Sequence, residues 1–567
     1  MAEKKSSTAK KSTGNATPPS SSKGKEAKAQ SQRNLLLIGG AAVVGILAFW
    51  LLWRGKPADT MAVFMPANTA VYVHLDLNEL TSAEMEKITS AFREASGEEV
   101  VEGEPDALQQ EVENALGIDY EEFISPWLGG QLGAGFQDIS SDPLSGDASG
   151  AFIIVIESRN PAAADAFLDQ LAAGAEEDGL SVTSSEYQGV RIIEMGADFD
   201  VPAAAQGKGV VFLADSAATI QGSLDLEASD SLGSSSGYIN SIGDLAGGRL
   251  ATVYVNLAEV MAASGAAEVS LSSGLSAAYS ALLESSSIAL GASIVPSGIQ
   301  VEYVLNFDEA HIPPATLASL RAATEPISTI ERYPEETILF LGTKTTGFSP
   351  ESLRENMGEE AYRDYLESIE SLNTTMGIDV GNLLTALDGE FSLGVFSQLS
   401  GLGAMTGGFG FQVVVTTTQD AALAAFFAEL TPLLETEMQI APEPRTIANM
   451  ASYVVSAPFV GELLAYGSGS GLGYLTTDVG LIEVSADPAF ASFTDSEAFQ
   501  KVKDAAGPNG HPVFYLDLAG LISLIESSGL ATAEDTKGIK PLTTVAAAIQ
   551  PYQAGALRGV VIFFIDR

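Results

Sequence analysis

Cysteine is absent from the 567 residues, and histidine occurs only three times. The first absence removes disulfides, thiolate metal sites, lipid anchoring through a thiol and thiol catalysis. The second leaves little material for imidazole chemistry. Tryptophan is also scarce, at three residues, and 28 basic residues face 73 acidic ones, for a net charge of −45. Small residues are plentiful, with 56 glycines, and 46% hydrophobic against 18% charged content is the composition of a folded chain. The length exceeds one compact core and points to two or three domains.

The charge is unevenly spread. Residues 1–33 carry Lys4, Lys5, Lys10, Lys11, Lys23, Lys25, Lys28 and Arg33 against Glu3 and Glu26, and Arg54 and Lys56 follow. Ten basic and two acidic residues thus precede position 57, leaving 18 and 71 beyond it, a charge of −53. Such a surface repels nucleic acid and anionic lipid, so no nucleic-acid partner is expected. It attracts cations or basic partners, or is simply a solvated, salt-adapted envelope surface.

Residues 34–53, NLLLIGGAAVVGILAFWLLW, are uncharged. A run of that length crosses a hydrocarbon core of about 30 Å as a helix. Its leucine, isoleucine, valine and phenylalanine residues contribute roughly −3 to −7 kcal/mol together on an insertion scale. Trp50 and Trp53, then Arg54 and Lys56, form an interfacial end. The basic excess before the span predicts a cytoplasmic N-terminus, with residues 57–567 outside the cell membrane. A cleaved signal peptide would have a shorter apolar core and a small-x-small site, whereas RGKPADTMA follows here. The tail 1–33 lacks apolar periodicity and is expected to be disordered. Ala41 and Gly45 form a small-xxx-small pair that can either pack helices or merely sit in lipid.

The outer region resembles itself. MPANTAVYVHLDL at 65–77 matches YPEETILFLGTKT at 333–345, and GIDYEEFISPWLGGQL at 117–132 matches GIDVGNLLTALDGEFS at 377–392. Residues 150–170 run without a gap against 410–430; 251–260 match 512–521, and 299–308 match 557–566. Five collinear pairs at nearly one spacing predict two homologous modules, 57–310 and 326–567, joined by a Pro-containing junction at 308–332. β-rich runs at 71–75, 150–156, 190–194, 210–213, 288–294, 299–307 and 412–416 read as strands. Asn160-Pro161 and Asp420-Ala421 open helices, and helical spacing also marks 82–95 and 106–116, with Ser82 and Asp106 as caps. Short Gly/Ser turns between the strands require antiparallel pairing. The expected fold is α+β: two tandem modules, each a mainly antiparallel sheet with helices packed on one side, after one transmembrane helix and a disordered tail.

PANTAVYVHLDL, GIDYEEFISPWLGGQLG and VVFLADSAATIQGSL resemble the bacterial domain-of-unknown-function 3352 family of envelope proteins. The resemblance implies a membrane-anchored, extracytoplasmic protein; it brings no activity and no catalytic residues.

A search for chemistry yields little. His74, His311 and His511 form no HExxH or i, i+4 pair. His74 and Asp76 share a strand face, a spacing suited to an acid/base pair. Related strands carry Asn256, Gly342 and Asp517 in place of His74, the pattern of a tolerant, half-exposed position. The glycine-rich runs 401–410 and 466–474 lack the Lys-Ser/Thr of a P-loop and precede strands, as hairpin connections do. GSSSG at 233–237 matches G-x-S-x-G around Ser235 but lies in a polar run without an entering strand, so a flexible loop is expected. S-x-x-K occurs in the tail, as Ser7 to Lys10. Asp138, Asp142 and Asp147, and Asp198 with Asp200, lack the EF-hand frame and read as acidic turns.

No catalytic, cofactor or metal residue is therefore assigned. The leading expectation is a non-enzymatic binding or scaffold protein of the envelope, held in membrane lipid by residues 34–53. Its ectodomain ligand would be a protein, glycan or cation, or a peptide or lipid in a groove between the modules. The alternative is a carboxylate-dependent extracytoplasmic hydrolase, which needs two carboxyls about 5–10 Å apart with one raised pKa. A passive salt-adapted surface protein is the third reading.

Overall fold

The computed structural model describes residues 59–566 except 78–82, 97–112, 114–117, 138–150, 197–198, 200, 247, 264–281, 283–284, 348–349, 399–401, 404–407, 486 and 488. The tail 1–33, the apolar run 34–53, Asp138, Asp142, Asp147, Asp198, Asp200, Ser82 and Asp106 lie outside the described residues. Among the described residues no helix is long and apolar enough to cross a membrane.

The first half supplies β1 (Val71–Asp76), β2 (Leu128–Phe136), β3 (Phe152–Ser158), β4 (Thr183–Tyr187), β5 (Val190–Glu194), β6 (Ala203–Gly207), β7 (Val210–Ala214), β8 (Ala251–Asn256), β9 (Ser286–Val295) and β10 (Gly298–Phe307). From the second come β11 (Thr337–Thr345), β12 (Gly389–Ser397), β13 (Phe409–Thr416), β14 (Glu443–Ile447), β15 (Met450–Ala457), β16 (Gly461–Gly469), β17 (Leu472–Thr476), β18 (His511–Asp517), β19 (Leu542–Ile549) and β20 (Ala556–Ile565). All twenty form one sheet. The first half runs β4-β5-β6-β7-β3-β2-β1-β8-β9-β10, every neighbour antiparallel. It continues through β10–β20 into β20-β19-β18-β11-β12-β13-β17-β16-β15-β14, again antiparallel throughout. The second order is the first one mirrored about the seam.

Registers make the correspondence residue-specific. Asn256 and Asp517, ending β8 and β18, both accept backbone N–H groups of the helices that follow them. Their strand partners are Ser287 and Thr544, which in turn face Asn306 and Phe564. Counting back from these last two makes Glu302 the counterpart of Val560, and those residues face each other across the seam. Val301 faces Val561 and Tyr303 faces Gly559 on either side. A local two-fold axis normal to the sheet therefore passes through the Glu302–Val560 pair.

The expectation of helices on one side is corrected. Ile153, Val155 and Phe212 pack with Ile220 and Leu224 of helix Ala217–Asp225 on one face. Their neighbours Ile154, Ile156, Val211 and Leu213 pack with Phe167, Leu168 and Leu171 of helix Pro161–Glu177 on the other. The second half repeats this, with helix Asp420–Met438 on one face and Val479–Val484 on the opposite one. The cause is in the sequence: β7 reads VVFLA, a continuous apolar run buried at every residue, which needs cover on both faces. Each such side chain contributes roughly 1.5–3 kcal/mol on burial.

The sheet is open, and its ends resist further pairing. β4 is almost wholly exposed TSSEY, and β14 carries Pro444 between Glu443 and Arg445. Charged residues and proline at an edge discourage addition of another strand. The junction is built rather than slack: helix Pro314–Ala322 lies between the turns Glu309–His311 and Ser328–Arg332. Arg321 sits over the Tyr552 ring at 5.1 Å, and the Tyr552 hydroxyl donates to Glu309.

Candidate functional site

Matching strand registers let one half serve as the control for the other. Ser216 and Asp478 cap corresponding helices. In the strands just before them Ala214 faces Ile153 and Thr476 faces Gln412. Ile153 and Gln412 are therefore counterparts, as are Phe212 and Tyr474. The bridges Pro66–Ser231 and Pro334–Ser492 likewise make Phe64 the counterpart of Arg332. In the first half this position is packed solid: Phe64 meets Phe212 edge-to-face at 5.6 Å, over Ile153 and Ile192.

The second half is hollow and polar at the same place. A cavity of about 360 Å³ is lined by Arg332, Gln412, Val414, Met450, Leu472, Tyr474 and Ile482, among others. Two tight hairpin tips flank it, Ala448-Asn449 and Ser470-Gly471, each with positive φ at both residues, as a two-residue turn between twisted strands requires. Gln412 is 2% exposed, its Nε2 donates to the Arg332 carbonyl at 3.0 Å, and its Oε1 is buried without a hydrogen-bond partner. The Tyr474 hydroxyl donates to Ser452 Oγ at 2.5 Å, and burial pushes its pKa above the ordinary tyrosine value. The Arg332 guanidinium donates to the Ser485 carbonyl at 3.1 Å and makes no ion pair among the described residues. An adjoining hollow of about 500 Å³ shares Arg332, Thr416, Leu472 and Ser485 and adds Thr329, Glu331, Asp487 and Asp495. Thr329 Oγ1 there is also buried and unpartnered. A buried amide oxygen left unpaired costs about 1–3 kcal/mol, so this hollow carries an unmet demand for a donor.

The polarity is exchanged around β1. Asp59 accepts from the Tyr72 hydroxyl at 2.9 Å to each oxygen, from the Tyr238 hydroxyl, and from the backbone N–H groups of Met61 and Ala62. Burial first, and the Asp59 charge next, raise the pKa of Tyr72 and Tyr238. The counterparts in the second half are apolar: Ile327, Phe340 and Phe499.

His74 belongs to this first network and is 5% exposed, not half-exposed. Its Nε2 lies 3.2 Å from Gln131 Oε1 and 3.6 Å from Asp59. Gly342 is tolerated at the corresponding point because Phe340 and Ile327 occupy the space; a Cβ there would meet them at 2.7 and 2.9 Å. Asp76 is fully buried on the same strand. His311 is exposed and pairs with Asp308 at 2.9 Å, while His511 opens β18, its pKa lowered by burial. No cluster of three metal-ligating side chains occurs among the described residues. Ser235 is not in a flexible loop: it follows the turn Leu232–Ser234 and caps helix Ser236–Gly243, accepting from Tyr238 N at 3.2 Å. Residues 466–474 form the β16–β17 hairpin. For hydrolysis, Asp487 and Asp495 beside the second hollow already accept backbone N–H groups in their own turns. Every described carboxylate with a displaced pKa is displaced downward.

The family described as "Protein of unknown function (DUF3352)" matches residues 35–563. The chain belongs to that family. No curated protein matches this DUF3352 chain by sequence. Its similarity to a solved structure titled "Structure of crystal form I of TP0453" has 11% identity and a TM-score of 0.21, over 46% of this chain and 84% of that one. A likeness of that degree carries no argument.

The DUF3352 chain also has a polar cleft of about 1030 Å³ at its seam, lined by Asn240, Asp244, Ser287, Asn306 and Arg558, among others. Arg558 bridges the halves by pairing with Asp244 at 2.6 Å. Sequence reasoning missed Gln412 and Arg332. Their only signal is a polar residue where the corresponding position has an apolar one, visible once the halves are aligned in the correct register.

Proposed function

We propose that this DUF3352 chain is a non-enzymatic binding protein of the cell envelope, built by tandem duplication. In this reading residues 34–53 hold it in the membrane and modules 57–310 and 326–567 lie outside. One observation carries the binding role: the hollow around Gln412 and Arg332, where the first half is filled by Ile153 and Phe64. A chain under selection for stability alone gains nothing from an unpaired buried amide at a point its own duplicate packs with phenylalanine.

The reading has a direct test. Full-length protein in mild detergent is screened by thermal shift against a panel of small envelope metabolites. A ligand present at 100 times its Kd stabilises by about 2.7 kcal/mol. The double variant Arg332→Phe/Gln412→Ile installs the residues of the first half. It should abolish that response while melting no lower than the parent, with a gain of about 1 kcal/mol expected. Equal responses in both proteins would reject the cavity as the binding site.

The anchor is tested separately. Protease added to intact protoplasts should digest the acidic bulk and leave residues 1–33 protected. Protection of the bulk would reverse the orientation.

A further inference from the structure

We propose that the Gln412 cavity takes a short aliphatic acid with an N–H or O–H donor next to its carboxylate, the chemistry of α-amino and α-hydroxy acids. The inference rests on the binding role proposed above and adds the class of ligand. Three properties of the cavity carry it.

The first is size and wall chemistry. A volume of about 360 Å³ lies at the small end for ligand pockets. It suits a molecule of about ten heavy atoms, at roughly 30 Å³ for each water-sized group. Val414, Met450, Leu472 and Ile482 give it aliphatic walls.

The second is the pair of polar groups. Gln412 is fixed as an acceptor, because its Nε2 is committed to the Arg332 carbonyl and its Oε1 has no partner. It asks for a donor. Arg332 lines the same cavity and pairs with no carboxylate among the described residues, although acidic groups far outnumber basic ones in this chain. A planar guanidinium with free N–H groups binds a carboxylate through two parallel hydrogen bonds. One group asks for a donor and the other for an anion, and both line one small space, so the ligand carries its donor close to its acid.

The third is the surrounding charge. Glu331, Asp487 and Asp495 line the adjoining hollow, and a simple anion would feel them. An ammonium beside the carboxylate cancels that repulsion and also supplies the donor for Gln412. Amino acids should therefore bind more tightly than hydroxy acids.

Titration calorimetry on the full chain in detergent tests this with four probes that share an isobutyl group: L-leucine, 2-hydroxy-4-methylpentanoate, 4-methylpentanoate and 3-methylbutylamine. Leucine should bind tightest and the hydroxy acid next, with leucine at least about tenfold tighter than the last two probes. Arg332→Gln should weaken both leading ligands about tenfold and leave the amine no weaker. Gln412→Met, close in shape but without the acceptor, should erase the advantage of 2-hydroxy-4-methylpentanoate over 4-methylpentanoate and shrink that of leucine, while 4-methylpentanoate itself binds as before. Melting curves of both variants verify that they fold. Absence of binding by leucine and the hydroxy acid at millimolar concentration, or affinities unchanged in both variants, overturns the ligand class. A ligand of another class that is lost in Arg332→Phe/Gln412→Ile would reject this chemistry and retain the binding role.

Discussion

Asp59→Ala should lower the unfolding free energy by roughly 2–6 kcal/mol, because it strands two buried tyrosine hydroxyls at about 1–3 kcal/mol each. Its carboxylate takes the Tyr72 and Tyr238 hydroxyls together with the Met61 and Ala62 amides. Tyr72 is fully buried and Tyr238 is 5% exposed, so water cannot replace the lost acceptor at little cost. The second half supplies the control. The triple variant Asp59→Ile/Tyr72→Phe/Tyr238→Phe copies Ile327, Phe340 and Phe499 and removes both hydroxyl donors along with the acceptor, leaving only the Met61 and Ala62 amides without it. It should recover most of the loss, because replacing a whole buried polar set by well-packed apolar groups is often neutral or better. Thermal unfolding followed by circular dichroism on the three proteins decides the matter. A triple variant as unstable as the single one would mean that the damage lies in packing, not in stranded hydroxyls.

Gly298→Ala is expected to cost about 3 kcal/mol. Gly298 opens β10 with φ at +146°, and a Cβ there would stand 1.9 Å from the Phe563 carbonyl oxygen and 3.0 Å from Ile565 N. Both of those are backbone atoms of β20, so no side chain can rotate away. Among the described residues β10–β20 is the one strand pairing that joins the halves. The damage should therefore appear as a melting curve that resolves into two transitions, with faster proteolysis across 308–332. Gly174→Ala, on helix Pro161–Glu177 with nothing within 4 Å of the new Cβ, is the matched control. It should be neutral or raise stability by about 0.5–1 kcal/mol. Equal melting of the two variants would refute the close approach at the seam.

Much of the architecture was legible in the residues, because strands such as β1 and β10 announce themselves through β-branched and aromatic content. Asn160-Pro161 opened the helix it promised, through a side-chain cap at Asn160. Two expectations fail for one reason: a local pattern in this chain has more than one neighbour. Helices on one side would leave one face of β7 bare, although an unbroken VVFLA demands cover on two. Variation among related strands of the chain predicts a tolerant position at His74, although the network of Asp59 and Gln131 arrives from elsewhere in the chain. The site was hidden by a one-residue slip. The gapless match of 150–170 to 410–430 sets Gln412 against Phe152, whereas strand pairing sets it against Ile153. β2 departs from regular register between Leu128 and Leu132, advancing four residues while β3 moves from Ser158 to Ile156. A strand read one step out of phase exchanges its two faces, so a polar residue entering the core cannot be told from one facing outward.

The pair on the local two-fold axis bears on fidelity of assembly. Glu302 lies directly opposite Val560, and its carboxylate accepts the Ala246 N–H at 2.6 Å. Were the first halves of two separate molecules to zip together through the same edge, symmetry would bring one Glu302 against another. Like charges directly opposed across an antiparallel pair are destabilising. The valine of β20 relieves that opposition, so β10 closes on β20 in preference to a second β10.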